Sequence, residues 1–464
     1  MSDPPNLTIR HQTPPPLSLR RNFVWSLAGN VLYALSQWGV LVVLAKLCSP
    51  ETRGLYLLGV TVTSPIFLFA GMQLRRLQAT DSREEFQFGH YFGLQLVASV
   101  IGMLASWGWG LFAGHQAEAL AVILLIGLNK ALETLSNTLY GLFQQHERLD
   151  RISKSMVLHG LLTGAGLCVG VALTGDVVLA SALSVAGRLI AMLVYDVPSV
   201  LWLLGDSKLE TRNSKPETRN LTSGGSSRLR AVLRNCQPLW HWQPLKQLAV
   251  MGIPLGVTGM LVSLNTNLPR GFVESKCGLA ELGIFGALCT PLAVMHTLTR
   301  ALESSASAQL AKRHAAGDVS GFRRLVARLM LTHSAIALAG VVVAQLFGRE
   351  LLTFLFTAED AAHVDVFVTI MWATLVATSA GVMMTALIAA RFIQIQLPLT
   401  GLTSLVSLAA CWWLVPTLGM QGAAISLLVS KLPYLVAGTW LLARLKPGAK
   451  EIAVAEPVSL KRAA

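Results

Sequence analysis

The chain has 464 residues and a formal net charge of +13, but only 13% of its residues are charged and 53% are hydrophobic. A soluble globular domain has about 25% charged residues, so this chain has too few charges to cover soluble domains of this total length. The composition argues against a soluble enzyme, a disordered chain and a disulfide scaffold. The six cysteines are scattered without a CxxC pair, and no phosphate-binding loop or paired-histidine motif is present, so we predict neither a cofactor nor a metal site.

Residues 1–20 form a polar, proline-rich segment that predicts a disordered cytoplasmic tail. The hydropathy pattern after this tail predicts membrane-spanning helices, because a helix needs about 20 apolar residues to cross about 30 Å of hydrocarbon. Six such segments precede the first long polar stretch. They cover approximately residues 21–46, 54–79, 88–113, 117–145, 152–174 and 178–204.

The long polar segment 206–246 predicts a cytoplasmic linker. Its first half contains the near duplication Glu210-Thr-Arg-Asn and Glu217-Thr-Arg-Asn, followed by Ser and Gly, which is typical of a flexible linker. Its second half has the basic run 228–234 before two tryptophans, which favours a short helix on the anionic inner leaflet. The alternative is a solvated linker throughout.

A second set of six apolar segments follows the linker, and it resembles the first set weakly. Placing Gly54 on Gly283 aligns Arg53-Gly-Leu-Tyr with Leu282-Gly-Ile-Phe and sets the first span near the start of the seventh. Because six is an even number, both sets enter from the same side, so the repeat is parallel with its axis along the membrane normal. The second set covers approximately residues 246–269, 279–303, 324–347, 364–391, 393–416 and 421–442.

We therefore predict an all-α polytopic membrane protein with about 12 transmembrane helices. Residues 21–205 and 247–445 are expected to form two six-helix bundles related by pseudo-two-fold symmetry around a central cavity, and residues 446–464 a cytoplasmic tail. A repeat of this kind favours a transporter.

The distribution of positive charge predicts the orientation in the membrane. With a cytoplasmic N-terminus, 29 of the 37 Lys and Arg residues lie on the inner side, 5 on the outer side and 3 within spans. This is a positive-inside pattern with both termini in the cytoplasm. Topology thus accounts for the basic charge, and we predict no nucleic-acid partner.

Two polar stripes run along predicted spans. The first span has Ser26, Asn30, Tyr33 and Gln37 on one helical face. The fourth carries a longer stripe, which must face protein or water because a charge at mid-bilayer costs at least about 2.5 kcal/mol. Its members are Lys130, Glu133, Asn137, Tyr140 or Gly141, and Gln144. We interpret the stripe as lining a cavity; the alternative is a structural ion pair between Lys130 and Glu133.

Further cations lie near or within the bundle. Arg188 and Lys431 are near the middle of the sixth and twelfth spans, and Arg270 lies at the outer end of the seventh. Arg75 lies near an inner end, where snorkelling to the interface is the common explanation. Together they give the bundle more cations than acids, which suits an anion such as a phosphate or an acidic sugar.

Several of these stretches, in this order, resemble the polysaccharide (O-antigen-type) flippases of the multidrug/oligosaccharidyl-lipid/polysaccharide exporter superfamily. The resemblance covers nearly the whole chain, from about residue 21 to 445. It rests on Gly54-Leu-Tyr, Met72-Gln-Leu-Arg-Arg-Leu-Gln-Ala-Thr-Asp81, Lys130-x-x-Glu133, Tyr140-Gly-Leu-Phe-Gln-Gln145, Glu147-Arg148, Pro254-Leu-Gly256, Asn265-x-Asn-Leu-Pro-Arg270 and Glu281-Leu-Gly-Ile-Phe285.

The resemblance implies a non-enzymatic flippase of the bacterial inner membrane. Such proteins move undecaprenyl-pyrophosphate-linked oligosaccharide repeat units to the outer leaflet for O-antigen, capsule or exopolysaccharide assembly, by alternating access driven by H⁺ or Na⁺. Membrane lipid, a polysaccharide polymerase and glycosyltransferases are the further partners it implies. The linker 206–246 is longer than is usual in these proteins.

Under this interpretation the cations and polar stripes bind the lipid-linked glycan, and Glu133 is the candidate for ion coupling. The substrate-binding candidates are Lys130, Arg270, Arg188, Lys431, Asn30, Gln37, Asn137 and Arg75. Alternatives in the same superfamily are an ion-coupled multidrug exporter, which would have an acidic cavity, and a lipid II flippase, which usually has two further helices. A membrane glycosyl polymerase or ligase would need a large outer loop, and we predict none.

Overall fold

The computed structural model describes residues 17–81, 85–206, 237–392 and 394–444. These residues are helical apart from short turns and connections, and no strand occurs among them, so the all-α prediction is confirmed. The predictions for residues 1–16, for the interfacial helix at 228–234 and for the tail 446–464 lie outside the described residues.

The six helical spans predicted for the first half are confirmed. Two of them, the second and the sixth, are interrupted or extended by short segments. Their bounds are α1 (Leu19–Leu47), α2 (Pro50–Ala70), α3 (Leu74–Thr80), α4 (Phe88–Phe112), α5 (Ala117–Gln145), α6 (Leu149–Thr174), α7 (Val177–Ala191), a π-helical segment (Met192–Asp196) and α8 (Val197–Asp206).

The described residues of the second half contain five helices long and apolar enough to span a membrane and one shorter apolar helix. The helical elements of this half are α9 (Trp242–Cys277), α10 (Leu279–Leu288), α11 (Thr290–Ala315), α12 (Val319–Leu355), α13 (Ala358–Ala361), α14 (Val364–Ala389), α15 (Gln396–Leu418), α16 (Met420–Val429) and α17 (Leu432–Arg444).

The described residues contain 11 helices long and apolar enough to span a membrane, and the eighth predicted span coincides with a shorter apolar helix, Leu279–Leu292. The helix is interrupted between α10 and α11, next to Pro291. A proline cannot donate a backbone hydrogen bond, and it disfavours helical geometry in the residue before it. About twelve spans remain the correct description.

Turn residues explain where individual helices begin and end. Gly175 adopts a positive φ of 68° and ends α6, a conformation that glycine adopts without steric cost. Asp176 then accepts a hydrogen bond of 2.7 Å from the Val178 backbone N–H and begins α7. The sixth and seventh elements are thus joined by a two-residue connection, which forces α6 and α7 to pack against each other as antiparallel neighbours.

The sixth span contains a widened turn. The backbone N–H of Val197 donates to the carbonyl of Met192, five residues earlier, and the π-helical segment ends at Asp196, two residues before Pro198. Pro198 supplies no N–H, and its ring would clash with the carbonyl four residues earlier in a regular α-helix. A π-helical turn relieves that clash and rotates the side chains that precede the proline.

The contacts divide the chain into two compact units. The N-terminal unit contains the described residues of Met1–Thr290 together with Leu352–Asp360, and the C-terminal unit contains those of Pro291–Leu351 and Ala361–Ala464. The helices α9 and α10 therefore pack with the first six spans. The division into bundles at the linker and the pseudo-two-fold axis stay predictions.

The glycines that align the two halves lie at a close contact within the N-terminal unit. A Cβ atom on Gly54 of α2 would lie 1.8 Å from the carbonyl oxygen of Leu279, and one on Gly283 of α10 would lie 2.0 Å from the carbonyl oxygen of Pro50. Only hydrogen atoms fit at these two positions, so α2 and α10 pack backbone against backbone.

Candidate functional site

The fourth-span stripe forms a charged cluster with α7. Lys130 Nζ donates to Glu133 Oε2 at 3.1 Å, and Arg188 Nη2 of α7 lies 3.7 Å from the same oxygen. Arg188 is buried, and its Nε donates to Asn129 Oδ1 at 2.6 Å. The structural pair considered from the sequence does form, but a second cation completes it. We call Asn129, Lys130, Glu133 and Arg188 the α5–α7 cluster.

The α5–α7 cluster has two cations and one carboxylate, and so a net charge of +1 at membrane depth. Such a charge is costly unless a counter-charge or water reaches it. Lys130 and Glu133 are each about three-tenths exposed, at 31% and 29%, whereas Arg188 is nearly enclosed. Lys130 is therefore the more accessible of the two cations to an anion, which would compensate the excess charge.

The first-span stripe faces the α5–α7 cluster through Tyr33. The phenol of Tyr33 interacts with Arg188, Glu133 and Lys130. Asn30 is exposed, and its amide donates to the Ser26 carbonyl of its own helix at 2.7 Å. Gln37 is half-buried, one turn beyond Tyr33 on the same face. The two stripes predicted from helical periodicity therefore meet at one site in the N-terminal unit.

A second polar group lies further along α5. Arg75 Nε of α3 donates to Gln144 Oε1 at 3.1 Å, and its Nη1 lies 3.5 Å from Asn137 Oδ1. The guanidinium also lies over the ring of Tyr140, 5.4 Å from its centroid. Arg75 is thus held against the α5 stripe by three side chains, which differs from the extended arrangement of a snorkelling arginine.

The two remaining candidates lie elsewhere. Arg270 of α9 is half-buried beside the buried thiol of Cys289, and among the described residues it makes no hydrogen bond or ion pair with the α5–α7 cluster. Lys431 is half-buried in the turn between α16 and α17, in the C-terminal unit. The structure therefore brings Lys130, Glu133 and Arg188 together and places Arg75 of α3 beside Asn137, further along α5.

A buried acid–histidine network was missed by the sequence analysis. His159 Nε2 of α6 lies 2.8 Å from Asp196 Oδ2, and Ser155 Oγ donates to Asp196 Oδ1. The Tyr140 hydroxyl lies 2.6 Å from Ser155 Oγ. The available signal was the presence of Ser155 and His159, four residues apart, on one face of an apolar span.

A buried ion pair at the start of α2 was also missed. Arg53 Nη1 donates to both carboxylate oxygens of Asp360, at 3.0 and 2.9 Å, and both side chains are buried. Thr357 donates to the same carboxylate through its backbone N–H and its hydroxyl. The partners are 307 residues apart, so no local pattern in the sequence could reveal the pair.

Comparison with known proteins supports a transporter fold. No family model matches the chain. A capsular polysaccharide biosynthesis protein, CapF of Staphylococcus aureus, is 22% identical over 419 residues, which cover 90% of this chain and 97% of CapF.

Solved transporters of the MOP superfamily have the same fold. An inward-facing multidrug resistance MATE transporter superposes with a TM-score of 0.67 at 15% identity, covering 91% of this chain and 96% of that protein. A MOP superfamily transporter from Pyrococcus furiosus, described as having a binding pocket of reverse polarity that suggests a different function, gives 0.58 at 14% identity with 92% and 95% covered.

These comparisons confirm the resemblance and the fold inferred from the sequence. The many apolar helices and the transporter relatives make the chain a multi-pass membrane protein. The protein thus has the fold of MOP-superfamily transporters and resembles, over nine-tenths of its length, a protein of capsular polysaccharide biosynthesis.

Proposed function

We propose that the protein is a flippase that moves undecaprenyl-pyrophosphate-linked oligosaccharide repeat units across the bacterial inner membrane, for capsule, O-antigen or exopolysaccharide assembly. The observation that carries the proposal is the net positive α5–α7 cluster in a MOP-type fold. The similarity to CapF supports polysaccharide biosynthesis as the pathway.

The sign of the charge distinguishes this proposal from its main alternative. An exporter of cationic drugs needs carboxylates that remain free to face the substrate, whereas Glu133 is already paired with two cations. A pyrophosphate offers oxygens that Lys130 and Arg188 bind through charge-assisted hydrogen bonds. The proposal therefore favours an anionic headgroup over a cationic drug; a lipid II flippase, whose substrate is also a pyrophosphate lipid, remains the second alternative.

The candidate residues divide into two roles in this proposal. Lys130 and Arg188 receive the pyrophosphate, and Arg75 with Asn137 extends the path along α5. Arg270 and Lys431 stay predicted substrate-binding residues. Asn30 and Gln37 hydrogen-bond the sugars while the prenyl chain stays in lipid. Ion coupling by H⁺ or Na⁺ belongs to the proposal, and Glu133 stays the residue predicted for it. Because Glu133 is paired with two cations, a role in which its carboxylate holds Lys130 and Arg188 in position is also favoured.

Replacement of Lys130 by Ala tests the proposal. Loss of one charge-assisted contact costs about 1.5 to 3 kcal/mol, so we expect at least tenfold less polymer at the cell surface, with accumulation of the lipid-linked repeat unit on the inner leaflet. Arg270→Ala is expected to reduce export likewise. Surface polysaccharide, leaflet distribution of the lipid-linked glycan and the amount of protein in the membrane are the measurements.

Two variants control for the loss of a positive charge as such. Lys276 is exposed near the end of α9, and Lys276→Ala should leave export unchanged. Lys130→Arg keeps the charge and should retain more export than Lys130→Ala. Wild-type surface polysaccharide in the Lys130→Ala strain would refute the assignment of this site.

A further inference from the structure

The acid–histidine network of the N-terminal unit is enclosed by protein. Its four side chains have exposed fractions of 0% for Asp196, 2% for His159, 0% for Ser155 and 6% for Tyr140. Three hydrogen bonds join them in a chain from the imidazole through the carboxylate and the serine hydroxyl to the phenol. His159 Nδ1 is buried and has no hydrogen-bond partner among the described residues.

The orphaned nitrogen gives the network one vacant place for a proton. When Asp196 is ionised and His159 Nε2–H donates to it, Nδ1 carries a lone pair, and the pair has a charge of −1 in a site that lacks bulk water. One added proton makes the pair neutral, either as an imidazolium with a carboxylate or as an imidazole with a carboxylic acid. The two groups then titrate as a unit.

The backbone holds the acid in this place. Asp196 is the last residue of the π-helical turn, which Pro198 imposes on the sixth span. The additional residue in that turn changes the direction of the side chains before the proline, and it points the carboxylate at α6. Single π-helical turns within α-helices occur frequently at functional sites.

The network interacts electrostatically with the candidate substrate site. Ionisable side chains of the helices packed against the network are Tyr33 of α1, Tyr140 and Glu133 of α5, and Arg188 of α7, and residues 197–203 of α8 have none. His159 interacts electrostatically with Glu133, and Tyr140 interacts with Asp196 and with Arg188. At the far end of the hydrogen-bonded chain, the Arg75 guanidinium lies over the Tyr140 ring.

We propose that His159 and Asp196 form a proton-binding site that is linked to the anion site of α5. The deprotonated network adds a negative charge beside Lys130, Arg188 and Glu133; protonation removes it and leaves the cations with more uncompensated charge. Proton binding and anion binding therefore favour each other, and by thermodynamic linkage each changes the affinity for the other by the same factor. This linkage makes anion affinity depend on pH, and it is separate from the ion coupling of the proposed function, in which an inward ion gradient drives export by exchange. The link to the anion site rests on the proposed function, whereas the proton site stands on its own geometry.

Proton binding can be observed directly on the full chain in lipid nanodiscs with ¹⁵N-labelled histidine. The chain has 10 histidines, and the His159 resonances are identified by their loss in His159→Gln. We expect the His159 ring of the wild type to change protonation state within the pH range over which the protein stays folded. In Asp196→Asn the ring should stay neutral across this range, because no carboxylate remains to pair with an imidazolium.

Two further variants keep the test decisive. Tyr140→Phe removes only the hydroxyl at the end of the chain, folds without a cavity, and should shift the His159 midpoint without abolishing it. His333 of the C-terminal unit is equally buried, and its Nδ1 is bonded to the Leu329 carbonyl, so His333→Gln is the matched control and should leave the His159 titration unchanged. A His159 ring that keeps one protonation state throughout overturns the proposal, and so does a midpoint that moves when Na⁺ replaces K⁺, since a sodium ion would then be the ligand.

The linkage is measured with inorganic pyrophosphate as the probe. We expect wild-type protein to bind it at least threefold more tightly below the His159 midpoint than above it. Asp196→Asn should bind it with the same affinity on both sides. Loss of the pH effect in the wild type overturns the linkage. Unchanged pyrophosphate binding by Lys130→Ala would instead count against the proposed function, while the proton titration of His159 would be unaffected.

Discussion

Single residues in the N-terminal unit carry charges that the membrane environment makes expensive. Glu133 is positioned by Lys130 three residues earlier on its own helix and by Arg188 on a neighbouring one. Asp360 is held by Arg53, and Asp196 by His159. Each of these carboxylates thus has a cation or a titratable base within 4 Å, and replacement of that partner tests the role of the carboxylate.

Removal of the Arg53 side chain gives a stability prediction at the residue scale. Arg53→Met leaves the fully buried Asp360 carboxylate without its cation, which typically costs about 3 to 5 kcal/mol. We expect a clear fall in the melting temperature of the purified protein in detergent, measured by intrinsic fluorescence. Asp360→Asn added to this variant should recover part of the loss, because no uncompensated charge remains.

The exposed Glu51, two residues before Arg53 and also in the first turn of α2, serves as the control. Glu51→Ala should change the melting temperature little. Equal melting temperatures for Arg53→Met and Glu51→Ala would show that the buried ion pair contributes nothing to stability.

At the scale of the helices, glycine and proline fix how individual elements pack. Glycine lets two helices lie closer together than larger side chains would allow. The contact between α2 and α10 depends on hydrogen atoms at Gly54 and Gly283, where a Cβ would approach a carbonyl oxygen to about 2 Å. The widened turn of the sixth span depends on Pro198. The first feature fixes the spacing of two helices, and the second fixes the direction of one carboxylate.

Alanine at Gly54 tests the backbone packing of α2. Because a backbone carbonyl cannot move aside as a flexible side chain can, we expect Gly54→Ala to force α2 and α10 apart and to destabilise the protein by about 1 to 3 kcal/mol. A matched control is Gly108→Ala in α4, where a Cβ would meet nothing within 4 Å. That change should be neutral or slightly stabilising, by up to about 1 kcal/mol of helix propensity. Thermal unfolding of both variants in the same detergent decides between the two outcomes.

The spans themselves could be predicted from the sequence, because a run of about 20 apolar residues is the length that a membrane-spanning helix requires. The stripes on the first and fourth spans were also predictable, since residues three and four apart share a helical face. The partnership of Arg188 with Glu133 was not, because it depends on which helices pack together. The contact of Asp196 with α6 was not predictable for a further reason. The π-helical turn changes the helical face on which the Asp196 side chain lies, so regular α-helical spacing assigns it to a different face.

At the scale of the whole molecule, the distribution of positive charge predicts the orientation in the membrane. The inner side holds 29 of the 37 Lys and Arg residues in the topology that we propose, so both termini should lie in the cytoplasm. Fusions of a reporter that is active only in the cytoplasm should report activity at both ends and at the linker. A fusion in the turn after α6, at Gly175, is expected to be inactive; activity there and none at the termini would require the inverted topology.

The ion pair between Arg53 and Asp360 also constrains the order in which the chain can be made. Synthesis proceeds from the N-terminus, so Arg53 leaves the ribosome 307 residues before its partner exists. Through all of that interval the guanidinium must be solvated by water, lipid headgroups or the insertion machinery. The N-terminal unit is therefore completed only after most of the second half has been translated, and a fragment that stops at the linker would lack the carboxylate that Arg53 requires.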